Sequence, residues 1–95
     1  MINVAVLGYG TVGSGVYEVL VKNKESIAKR AGDEINVKYV LDLRDFPGDP
    51  VENVLVHDFD TIVNDKEVDI VVEAIGGTEP AYRYVKESLL AGKSV

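Results

Sequence analysis

Apolar residues fall along this chain in short runs and helical spacings that alternate from one end to the other. Ile2-Asn3-Val4-Ala5-Val6-Leu7 is an almost unbroken apolar run that ends at a glycine, the pattern of a buried strand in a parallel sheet. Beyond the glycine loop, Val12, Val16, Val19 and Leu20 recur at i, i+4, i+7 and i+8 and predict one face of an amphipathic helix. Residues 22–30 are polar apart from Ile27 and Ala28, and either prolong that helix or form a short second one, closed by Ala31-Gly32-Asp33. The β-branched content of Ile35 to Leu41 predicts a second strand. Pro47, Gly48 and Pro50 make residues 45–52 a loop, and residues 54–56 a minimal third strand. Asp58 is a candidate N-cap for a helix carrying Phe59, Ile62 and Val63. Ile70-Val71-Val72, continuing to Ile75, is the most β-like run. Thr78 then reads as an N-cap, with Pro80 in the first helical turn, and Tyr82, Val85 and Leu89 as one helical face that stops at Gly92. Lys93-Ser94-Val95 opens a further strand.

Strand and helix alternate throughout, which implies a parallel sheet with helical crossovers. The expected fold is α/β, a Rossmann-type doubly wound parallel sheet, N-terminal portion only. Residues 1–95 read as one incomplete domain, with the rest of its sheet expected in a longer protein.

The chemistry lies in Gly8-Tyr9-Gly10-Thr11-Val12-Gly13. This G-x-G-x-x-G spacing is weak alone, but here it follows a strand and opens a helix. Gly8 permits the tight turn, Gly10 lets backbone approach a pyrophosphate, and Gly13, extended by Gly15, lets the helix pack close to the sheet. The free N–H groups of the first turn and the positive end of the helix dipole face the phosphates. After the second strand, a carboxylate reads the ribose 2′-OH of NAD and an arginine neutralises the 2′-phosphate of NADP. Asp42 and Arg44 offer both, so NAD and NADP stay open, with a lean to NADP. Ile75-Gly76-Gly77 ends the strongest strand and brings backbone to the crevice where ligands sit in open α/β sheets. Glu73 is unusual in a buried strand and needs a partner near the strand's end, its role being ribose contact, loop anchoring or neither. His57, Asp58, Asp60, Tyr82 and Tyr84 read as surface, capping or packing residues.

Composition narrows the partners. Ten Lys and Arg against sixteen Asp and Glu give a charge of −6, which argues against nucleic acid. There is no cysteine, hence no disulfide framework or thiolate metal site. No apolar run reaches bilayer-spanning length and no signal peptide is apparent, so a cytoplasmic protein without a membrane partner is expected.

Two segments together, residues 8–16 (GYGTVGSGV) and 69–81 (DIVVEAIGGTEPA), closely resemble homoserine dehydrogenase, and Ala91-Gly92-Lys93-Ser94-Val95 is similar to that family's approach to its next strand. The resemblance covers nearly the whole chain. It implies NAD- or NADP-dependent interconversion of aspartate 4-semialdehyde and homoserine, in threonine and methionine biosynthesis. It places the pyrophosphate on Gly8 to Gly13, the 2′-phosphate on Arg44 and the cofactor crevice at Ile75, Gly76 and Gly77. It further implies a homo-oligomer at full length, and catalytic residues beyond Val95, so that these 95 residues alone are inactive. The alternatives are a regulatory dinucleotide-sensing module and another NAD(P)-dependent dehydrogenase.

Overall fold

Strand β1 (Ile2–Leu7) is apolar on both sides because both sides are covered. Val4 and Val6 point into one core cluster with Val40 and Val51, while Ala5 and Leu7 point into a second with Leu41, Phe59, Ile62, Val68 and Val71. The computed structural model describes residues 1–75 and 79–95. Around β1 run helices α1 (Thr11–Lys22) and α2 (Lys24–Ala31), strand β2 (Ile35–Leu41), a short 3-10 helix (Pro50–Asn53) and strand β3 (Leu55–Val56). Helix α3 (Phe59–Val63), strand β4 (Ile70–Glu73) and helix α4 (Glu79–Leu90) complete the described elements. All four strands are parallel, in the order β3-β2-β1-β4. The chain therefore steps outward from β1 to β3, then returns to the other flank of β1. That reversal opens a crevice at the carboxyl ends of β1 and β4.

The expected α/β fold and its element order are observed, and three details differ. The first is the phase of α1. Its inward residues are Gly13, Val16, Tyr17 and Leu20, whereas Val12 is 65% and Val19 54% exposed. Helix and sheet meet most closely at Gly13, and that contact turns Val12 and Val19 away. The second is α4, which buries Ala81 and Ser88 fully and Tyr84 and Val85 in part, leaving Tyr82 and Leu89 outside. Small residues at 81 and 88 let the helix approach, so bulk and hydrophobicity misled the phase by one position. The third is a 3-10 turn within the proline-rich loop, where Asp49 accepts a hydrogen bond from the Val51 N–H at 2.9 Å.

Other boundaries agree closely. Asp58 caps α3 by accepting from the Asp60 N–H at 2.9 Å. β4 stops at Glu73, two residues before Ile75. Ser94 bridges Ile70 in parallel, so residues 93–95 do begin to pair beside β4. The Thr78 cap lies outside the described residues. No described helix is long and apolar enough to cross a membrane.

Candidate functional site

Gly8 leaves β1 with φ of +98°, a conformation that a side chain strains, and its N–H donates to Leu41 O at 2.7 Å. A Cβ on Gly13 would lie 1.8 Å from Gly8 O, so the first turn of α1 is pressed against the preceding loop. Gly10 is different. A Cβ there would meet no protein atom within 4 Å. Gly10 is also the N-cap of α1 and supplies no capping side chain. Ser14 N–H, bonded to Gly10 O at 2.9 Å, is the first helical amide with a backbone acceptor. Among the described residues, the N–H groups of Gly10, Thr11, Val12 and Gly13 find no acceptor. No acidic side chain offsets the positive end of the helix dipole in that turn.

Two amides of the six-residue loop are already engaged. Besides Gly8, the Tyr9 N–H donates to Asp42 Oδ2 at 3.0 Å. The expectation of a cradle running from Gly8 to Gly13 narrows to Gly10 through Gly13. The Gly15 expectation fails as well, since a Cβ there would touch nothing within 4 Å.

Tyr9 points inward. Its hydroxyl donates to Asp49 at 3.1 Å, and its ring meets Phe46 edge to face with centroids 4.8 Å apart. Burial and the Asp49 carboxylate push the phenol up to about 12. The glycine loop is thereby fastened to the segment after β2.

Asp42 and Arg44 come together as expected of their positions. Asp42 Oδ1 accepts from Arg44 N at 2.9 Å and Nε at 3.0 Å, and Oδ2 accepts from Arg44 Nη2 at 2.9 Å and from Tyr9 N. A carboxylate has about four acceptor sites, and all are filled here. The Arg44 guanidinium beside it holds the Asp42 carboxyl well below the usual carboxylate range. The carboxylate is nearly buried, while the arginine side chain is 63% exposed. His57 supports the same loop from outside, with Nδ1 2.6 Å from Asp42 O and Nε2 3.0 Å from Asp45 Oδ1.

Beside these residues lies an open cavity of about 640 Å³, lined chiefly by apolar side chains: Leu41, Leu43, Ile75, Pro80 and Tyr84, with Gly8, Asp42 and Arg44 at its edge. Ile75 is thus at the crevice, held by its N–H donating to Glu73 Oε1, which makes Glu73 a loop anchor. Gly76 and Gly77 lie outside the described residues. Leu43, Pro80 and Tyr84 were missed as lining residues, although Pro80 and Tyr84 stand at i, i+4 on one helix face, a spacing open to inspection. Among the described residues no group of His, Asp and Glu has the arrangement to hold a metal.

A family model described as the homoserine dehydrogenase NAD-binding domain matches residues 8–95. The chain belongs to that family. Homoserine dehydrogenase of Methylobacillus glycogenes is 42% identical over 99% of this chain, and that of Helicobacter pylori 38% over 98%. Crystal structures of the homoserine dehydrogenases of S. aureus and Thiobacillus denitrificans superpose with TM-scores of 0.85 and 0.82, at 34% and 41% identity, each over 97% of the chain. The match occupies 22–24% of those proteins, so this homoserine dehydrogenase NAD-binding domain spans about a quarter of their length. Membership brings a nicotinamide dinucleotide as the ligand class.

Proposed function

We propose that this chain is the cofactor-binding part of an enzyme interconverting aspartate 4-semialdehyde and homoserine, a cytoplasmic step toward threonine and methionine. The bound nicotinamide supplies the hydride chemistry, and this chain's residues bind and orient it. The amides of Gly10, Thr11, Val12 and Gly13 receive the pyrophosphate at the helix N-terminus, assisted by the dipole. The apolar cavity beside Leu43, Ile75, Pro80 and Tyr84 takes the adenine, and Gly76 and Gly77 border the nicotinamide side. Asp42 and Arg44 read the ribose. NADP is the preferred form, because every acceptor site of Asp42 is filled. A ribose diol has to displace Arg44 to reach that carboxylate, whereas a 2′-phosphate can take the arginine's spare N–H donors.

The observation that carries this reading is the set of free amides at a position where a side chain would meet only open space. Calorimetric titration of NADP and NAD into the unchanged protein and Gly10→Val tests it. The φ of −80° at Gly10 accommodates valine, so the variant keeps its melting temperature while dinucleotide affinity falls at least about tenfold, a loss near 1.4 kcal/mol. Undiminished binding by a folded Gly10→Val protein refutes the phosphate cradle. Homoserine oxidation by protein containing this chain checks the activity.

A further inference from the structure

Arg44 is an exposed, long side chain, and such side chains ordinarily sample many rotamers in water. Here it is gripped from two directions. Its Nε and Nη2 fork onto Asp42, and its guanidinium carbon lies 5.2 Å from the centre of the Phe46 ring, over its face. Phe46 in turn packs against Tyr9, the two rings meeting edge to face with centroids 4.8 Å apart. The contacts close a circuit: Tyr9 N–H to Asp42, Asp42 to Arg44, Arg44 to Phe46, and Phe46 back to the Tyr9 ring. The glycine loop and the ribose-reading arginine therefore share one support.

We propose that Phe46 is a specificity-positioning residue, whose ring holds the Arg44 guanidinium across Asp42 and so favours a ligand bearing a 2′-phosphate over one with a free ribose diol. This rests on the cofactor reading above. The fork leaves both N–H groups of Nη1 and one of Nη2 without an Asp42 partner. Presenting them needs a fixed plane, and the flat face of Phe46 supplies it. Without the ring Arg44 leaves Asp42 more readily. The 2′-phosphate then loses its prepared partner, while Asp42 becomes free to accept from the diol. A residue that merely packs the loop affects both cofactors alike.

Titration of NADP and NAD into Phe46→Leu, Phe46→Tyr, Arg44→Ala and the Arg44→Ala/Phe46→Leu pair separates these cases. Phe46→Leu weakens NADP about two- to five-fold, the range of an exposed cation–π contact, with NAD unchanged or improved. Phe46→Tyr keeps the original ratio, and in the Arg44→Ala background Phe46→Leu no longer alters it. Equal losses for both cofactors, or a selective effect that persists without Arg44, overturn the proposal. If Phe46→Leu does not fold, Arg44→Lys decides: it keeps the charge without the planar fork, and a retained NADP preference overturns the proposal. Failure of the cofactor reading looks different, since the unchanged protein then binds neither dinucleotide and this inference falls with it. Should Arg44→Ala leave the ratio untouched, the ribose assignment fails first.

Discussion

At the amino edge of the sheet several charged side chains are tied to protein partners. Lys93 is buried and donates to Asp65 O at 2.7 Å and Val68 O at 3.1 Å. Asp65 takes Lys38 at 2.6 Å and the Tyr39 hydroxyl at 2.7 Å, and Asp69 takes the Asn3 N–H at 2.9 Å. An irregular register between Val4 and Ala5 leaves Lys38 as an extra residue in β2, which lets both Lys38 and Tyr39 reach Asp65. At the carboxyl edge the first turn of α1 keeps its amides free, beside an apolar cavity. At one edge these charged groups answer one another; at the other, among the described residues, the helix-start amides find no protein acceptor. The first-turn amides of any helix lack an intrahelical partner; those of α1 differ in having neither a capping side chain nor an acidic residue in that turn.

Gly13 lies at the carboxyl edge, pressed against Gly8 and Ala74, and it offers the largest effect. It is a structural glycine, unlike Gly10. Gly13→Ala places a methyl 1.8 Å from Gly8 O, and backbone on both sides must move. Overpacking of this kind costs upward of about 3 kcal/mol, a large part of a small domain's stability. Thermal unfolding is expected to show a Tm lower by roughly 12–24 °C. A Gly13→Ala protein as stable as the original breaks the distinction between the two glycines.

Much of this was open to inspection in the sequence, and the limits have a common cause. The β1 run and the glycine spacing are local signals, read within a dozen residues. The phases of α1 and α4 are set by close contacts at Gly13, Ala81 and Ser88, small residues that hydrophobicity undervalues. The pairing of Tyr9 with Asp42 and Asp49 spans 33 and 40 residues, and no spacing rule links such positions. The position after β2 points to Asp42 and Arg44, yet the complete occupation of the carboxylate is visible only in the fold.

Lys93 tests the amino edge. Lys93→Met keeps the length and apolar stem of the side chain but removes the donor from Val68 O. A loss of about 2 kcal/mol is expected, or roughly 10 °C in Tm for a domain of this size. Dinucleotide affinity, read in the same protein below its transition, stays unchanged, because the substitution lies at the far edge of the sheet. Coupled loss of affinity sinks the claim that the edges act separately.

The smallest effect belongs to His57, which bridges the exposed side of the loop after β2. A carbonyl only accepts, so Nδ1 must carry a proton to bond Asp42 O. In the neutral ring that leaves Nε2 as an acceptor facing the Asp45 carboxylate, and only the protonated ring suits both partners. The Asp42 carbonyl first, and Asp45 with it, raise the His57 pKa above its ordinary value. A group raised on folding stabilises the fold fully below its unfolded pKa, about 6.5, and that contribution is lost as pH rises through the folded value. His57→Ala is therefore expected to lower Tm slightly at pH 5.5 and not measurably at pH 9, with the acid-side difference shrinking in high salt. A Tm difference that is constant, or that grows toward high pH, shows that the loop owes nothing to the charge on the ring.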